Sequence, residues 1–338
     1  MLQKKNNIIH NRNLGIELLR MILCFWILSF HCLNKEKISY FIFYITKTKL
    51  FHVPCFSFIS FYFSYNIFLD RNIIKFKRRI ERLLIPYFFW PLLIFIIDNS
   101  LHLLFPSQIK TIHFNELKIQ LILGRLFMVP LWFLFGSIFL SIILFILSNL
   151  FNKFFLFISQ LIIISVYCLQ YSNKFKYLKI LLVNFKLALL DTLSILPLSL
   201  LGINFASLNI MNFFKSHLKL SMFFIYLFIF ILFKYELFVD LGGYNGIIHI
   251  YTSFLFFIGF YILPLQNLPS LVRKIIKRIT SFTNGIYCLQ CKIIPLVRLY
   301  VDRKGSLKSS FISYFLLYFC SFIGIKIVGN TKFKYLFI

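Results

Sequence analysis

Long apolar runs separated by short, mostly basic stretches organise this chain. Apolar windows near 14–33, 50–69, 83–104, 131–150, 154–170, 181–205, 218–234, 247–264, 282–300 and 311–329 approach or exceed the length that suits a membrane-spanning helix. They predict an all-α polytopic integral membrane bundle of about ten transmembrane helices. The runs at 154–170 and 181–205 are the most interrupted, by short polar stretches and by Pro197. Barrel strands would show alternating segments of about 10 residues, and the pattern does not have them.

Composition points the same way. Of 338 residues, 60% are apolar or aromatic and only 14% are charged, against about 45–50% and about 25% in soluble proteins. The mean hydropathy is +0.84, and the abundance of Phe, Ile and Leu excludes intrinsic disorder. The 37 Lys and Arg against 10 Asp and Glu give a net charge of +27. In a soluble protein that would suggest nucleic acid. In a multispan chain it belongs to loops that face anionic lipid and set topology, so membrane lipid is the expected partner and nucleic acid is not. The dense clusters at 70–82 and 265–281 would share a side with both termini, which predicts cytoplasmic termini and a short basic cytoplasmic segment at 1–13. Glu17 and Arg20 interrupt the first apolar run, and no small-residue cleavage site follows it, so it reads as a span and not a signal peptide. With no long soluble insertion and no internal repeat, 1–338 reads as one domain. The seven cysteines fall mainly inside apolar runs, and Cys288 and Cys291 form a lone CxxC without further ligands, so no metal is expected. No GxGxxG, P-loop, HExxH or GxSxG motif occurs.

Ionisable residues within spans are costly and are functional candidates by default. Glu17 lies at i−3 from Arg20 and can pair with it. Arg20 and His31 are 11 residues apart, about 20° from three full turns, so they share a helix face about 16 Å apart along the axis. Glu17 and Arg20 could equally be interfacial side chains and His31 a helix-end histidine. Arg78, Arg79 and Arg82 precede the third apolar window; an arginine cluster suits bidentate phosphate binding, and it also serves as a topological anchor. His52 opens the second window on the side where His31 would emerge, a secondary candidate beside the reading of an interfacial histidine.

The segments GIELLRMILCFWILSFH, HVPCFSFIS, RRIERLLIPY, PLWFLF (130–135) and TNGIYCLQ (283–290), in this order, resemble the acyltransferase-3 family of membrane O-acyltransferases. The most specific elements are Arg20 and His31, separated by ten residues, and Arg79-x-x-Arg82. The resemblance implies transfer of an acyl group, most often acetyl, from cytoplasmic acyl-coenzyme A (acetyl-CoA) to a hydroxyl of a cell-surface glycan such as O-antigen or capsular polysaccharide, at a bacterial inner membrane. Coenzyme phosphates would sit on Arg79 and Arg82 with Arg78 beside them, Arg20 would lie deeper, and the pantetheine arm would run along the first helix toward His31. His31, with an ordinary pKa of about 6.5, could take the acceptor's proton or act as nucleophile. Two positions depart from the family pattern: Phe61 follows Ser60 where Gly is usual, which questions close packing there, and Gln290 stands where His is often found. A non-enzymatic polysaccharide or glycolipid exporter or flippase is the alternative from another class, although paired broken helices are not evident. A glycan polymerase would carry a larger extracytoplasmic loop.

Overall fold

The computed structural model describes residues 13–32, 52–104, 111–123, 131–171, 188–208, 211–214, 218–234, 247–280, 283–300 and 307–328. Among them every regular element is helical: α1 Leu14–Cys32, α2 His52–Tyr62, α3 Tyr65–Leu69, α4 Ile73–Leu104, α5 Phe114–Leu123, α6 Leu131–Phe151, α7 Phe155–Tyr171, α8 Ala188–Ser207, α9 Met211–Phe214, α10 Leu218–Lys234, α11 Ile247–Ile262, α12 Ser270–Thr280, α13 Thr283–Tyr300 and α14 Leu307–Val328. Two of these, through Ile73–Ser100 and Leu131–Phe151, are both long and apolar enough to cross a bilayer. The expectation of about ten spans goes beyond those two. The basic segment 1–12 and the connection 33–49 lie outside the described residues.

Large apolar side chains face outward along several helices, while small hydroxyls lie buried between helices. Only 28% of the apolar window of α4 is buried, and Phe88, Leu92 and Ile96 form an exposed stripe along it at helical spacing. Phe311, Phe315, Phe319 and Ile323 repeat that stripe on α14. Ser57, Ser141, Ser199 and Ser253 are instead fully buried between helices. Small hydroxylated residues that let helices approach, with apolar residues facing outward, are the arrangement a lipid surrounding selects. This is a membrane protein.

At the centre α2 packs against α8 and α11, with α1 alongside. Phe58 is fully buried there, its ring 4.8 Å from that of Phe257 and 6.0 Å from that of Phe254. The hydroxyls of Ser57 and Ser199 join α2 to α8 at 2.7 Å. A Cβ at Gly202 would fall 2.6 Å from the Phe58 carbonyl oxygen, so the close approach questioned at Phe61 is made by a glycine of the facing helix. On the other side α1 packs on α11, α12, α13 and α14. Asn13 caps it, accepting from the Ile16 N–H at 3.2 Å and donating to the Tyr261 carbonyl at 2.8 Å.

Several boundaries differ from the sequence reading. The 70–82 stretch, expected as a loop, is helical from Ile73 and continuous with the span. Lys and Arg are good helix formers, and Asn72 caps the start by accepting from the Lys75 N–H at 2.9 Å. The 50–69 window breaks at Phe63–Ser64, where the Ser64 N–H turns back to the Phe61 carbonyl. The connection between the windows at 83–104 and 131–150 contains α5, and the basic stretch at 265–281 contains α12. On α12 the apolar Leu271, Val272, Ile275 and Ile276 lie on one side and Arg273, Lys274, Lys277 and Arg278 on the other.

Candidate functional site

Arg20 stands on α1 where that helix meets the start of α13. Its Nη1 lies 3.6 Å from Glu17 Oε2, the i,i+3 pairing that the spacing predicts. Its Nη2 donates to the Thr283 hydroxyl at 2.7 Å. The Glu17 side chain is 8% exposed and that of Arg20 is 26% exposed, so the carboxylate is enclosed while the guanidinium keeps an open edge. Thr283 in turn donates to the Thr280 carbonyl at 3.1 Å, tying the end of basic helix α12 to this node. Thr283 also opens α13, and the positive end of a helix adds to the cationic character contributed by Arg20.

One turn beyond Arg20, the helices leave a partly open cavity of about 40 Å³. Cys24 of α1 faces it. So do Val53 and Phe56 of α2, Phe133 and Leu134 of α6, and Thr283 and Cys288 of α13. Four of the five segments singled out in the sequence therefore meet at one void, although they are distant along the chain. The fifth supports the wall from behind: Tyr87 and Trp90 of α4 pack in one buried cluster with Leu134 and Cys288. The Cys24 thiol reaches the Thr283 carbonyl at 3.9 Å, which holds α1 and α13 in register at the cavity.

The arginines of the basic segment separate. Arg78 and Arg82 are exposed on α4. Arg79 turns inward between α2 and α6: Nε donates to the Ser141 hydroxyl at 2.9 Å, Nη1 to the Ser64 hydroxyl at 2.5 Å and the Ser60 carbonyl at 3.4 Å, and Nη2 to the Ser60 hydroxyl at 3.0 Å. Its guanidinium carbon sits 4.6 Å from the centre of the Phe61 ring, a cation–π contact. The aromatic residue at the usual glycine position is thus the floor of the Arg79 site.

The two histidines also diverge. His31 is exposed near the end of α1, about two turns beyond the level of Cys24. His52 is 2% exposed; it precedes Val53 and lies one turn before Phe56, both of them wall residues. Gln290 is buried on α13, and its Nε2 donates to no group among the described residues. The structure therefore joins Glu17 and Arg20 to Thr283, which lines the cavity, sets His52 beside two wall residues, and leaves His31, Arg78 and Arg82 on exposed surfaces. Thr283 and the serines around Arg79 were missed in the sequence, because a hydroxyl on an apolar helix gives no signal until its partner is known.

A family model described as an acyltransferase domain matches residues 13–330. Comparison with curated proteins and with solved structures gives no match.

Proposed function

The chain belongs to the acyltransferase-3 family, and from that premise we propose that it is a membrane O-acyltransferase moving an acyl group, most simply acetyl, from cytoplasmic acyl-CoA to a hydroxyl of a cell-surface glycan. The observation that carries this reading is the convergence of α1, α2, α6 and α13 on one cavity, with Arg20 bonded to Thr283 of its wall. A thioester donor has an anionic end and an apolar acyl end. The basic surface of Arg78, Arg82 and α12 suits the first, and the cavity suits the second. Arg79, its donors engaged by Ser60, Ser64 and Ser141, would hold the helix junction and leave the phosphates to Arg78 and Arg82. Arg20, with its open edge, is suited to a phosphate or to the carbonyl region of the pantetheine arm.

Proton removal from the acceptor hydroxyl falls to an imidazole, a contribution worth about 10²- to 10⁴-fold. His31, toward the end of α1 opposite Arg20, is the proposed base; His52 beside the wall is the second candidate. The setting we propose is a bacterial inner membrane with both termini cytoplasmic. The whole chain would act as one transmembrane domain.

The test is NMR of ester-linked acetyl on purified surface polysaccharide from cells carrying His31→Ala at matched membrane protein level. Loss of acetyl with the polysaccharide still exported is the expected result. Unchanged acetylation, together with missing polysaccharide on deletion, would make the protein an exporter or flippase instead.

A further inference from the structure

Helix α12 is short, and its two sides differ in chemistry. Its 11 residues make a rod about 16 Å long, about half the thickness of a bilayer's hydrocarbon core, so it is too short to cross one. Arg273, Lys274, Lys277 and Arg278 follow one side of it, and Leu271, Val272, Ile275, Ile276 and Ile279 follow the other. No Asp or Glu occurs between Asp240 and Asp302, so this segment brings no countercharge of its own.

The two side chains that α12 buries in the bundle, Ile276 and Thr280, fall along the border between those sides. Docked by that edge, the helix leaves both sides open. Leu271 is 68% exposed, Ile275 47% and Val272 37%, while Lys274, Lys277 and Arg278 are exposed on the basic side. A soluble anion, such as the phosphates of a coenzyme, would use only the basic side. The apolar side calls for hydrocarbon beside it.

The place of α12 in the bundle supplies that hydrocarbon. The outward apolar stripe of α14, from Phe311 to Ile323, is followed by the exposed Lys326. The guanidinium carbon of Arg278 stands 5.1 Å from the centre of the Phe322 ring, and Lys326 Nζ stands 5.7 Å from it. Helix α12 therefore reaches α14 at the level where apolar surface yields to charge, which is the level of lipid headgroups.

We infer that α12 is an interfacial helix that binds anionic phospholipid, with Leu271, Val272 and Ile275 among the acyl chains and Lys274, Lys277 and Arg278 on the headgroup phosphates. The inference stands apart from the donor reading proposed above. It assigns the basic side of α12 to lipid rather than to a coenzyme, because lipid is the anion that also covers the apolar side.

The experiment titrates the purified full-length protein, in a neutral detergent, with phosphatidylglycerol and separately with phosphatidylcholine. The readout is the melting midpoint, which a lipid bound to the native state raises. The wild type is expected to respond to phosphatidylglycerol at a concentration lower by about tenfold or more than to phosphatidylcholine. Lys274→Gln combined with Lys277→Gln, both at exposed positions, should raise the half-saturating phosphatidylglycerol concentration by about tenfold or more, since each cation near an anionic surface contributes several-fold. Leu271→Ser combined with Ile275→Ser should weaken the response with every charge in place. Lys75→Gln combined with Lys77→Gln, which removes the same charge from exposed positions on α4, should leave the half-saturating concentration unchanged. Equal wild-type response to the two lipids, an unaffected serine pair, or the same displacement in the α4 pair as in the α12 lysine pair would overturn the inference. So would an α12 lysine pair that keeps the wild-type lipid response and loses acetyl-CoA binding, which would give the basic side to the donor.

Discussion

Arg20 and Arg79 are the same side chain put to two uses. Arg79 donates to two serine hydroxyls on the α2–α3 side, to the Ser60 carbonyl, and to Ser141 on α6, and it lies over Phe61. Among the described residues all its partners are neutral, and its donors join helices. Among the described residues Arg20 makes one hydrogen bond, to Thr283, and one ion pair, with Glu17, and its side chain is 26% exposed. A guanidinium has five N–H donors in a fixed fork. Where the surrounding residues use most of them the side chain ties helices together, and where they use few it has donors to spare. Residue type and spacing alone do not distinguish these cases.

The comparison makes graded predictions about stability. Arg79→Ala should cost the most, about 3 kcal/mol or more, because it removes several hydrogen bonds from a charged donor and leaves their acceptors unmet. Arg79→Lys should recover little of it, since a point charge on a flexible stem cannot reproduce the fork. Thermal melts in a common detergent would measure both. Gly202→Ala, behind the same junction, should cost about 1–3 kcal/mol by forcing α8 away from α2, read as a lower melting midpoint with unchanged spectral helicity.

On the other side the stability effects shrink while the functional effects grow. Arg20→Ala should cost about 1 kcal/mol, consistent with one charged hydrogen bond at a partly open site, yet abolish most acyl transfer; Glu17→Gln in that background should regain stability and not activity. Arg82→Ala, at an exposed position, should move stability by less than about 0.5 kcal/mol and weaken acetyl-CoA binding, measured by titration. Should Arg20→Ala prove the more destabilising of the two arginine variants, the division would be reversed.

Much of the architecture was legible in the sequence. The windows at 14–33, 131–150, 218–234 and 282–300 correspond to α1, α6, α10 and α13 within a few residues. Burial of apolar length is a property of the segment itself. The basic 73–82 turns of α4 were not legible as helix, because a run of cations reads as a loop while its helical propensity is high. The break after Tyr62 lies where Ser60 and Ser64 both accept from Arg79, a contact across the turn that apolar patterning cannot carry. The Glu17–Arg20 pair was readable because it is local. Thr283 was not, being 263 residues from Arg20, and neither was the inward course of Arg79, which depends on Ser141 of a different helix.

The most direct test is the melting midpoint of Arg20→Ala and Arg79→Ala, each with and without saturating acetyl-CoA, since a ligand that binds the native state raises the midpoint. The account predicts that Arg20→Ala melts near the wild type and loses the acetyl-CoA shift, while Arg79→Ala melts far lower and keeps it. An Arg79→Ala protein that melts like the wild type but no longer responds to acetyl-CoA, beside an Arg20→Ala protein that still responds, would contradict it.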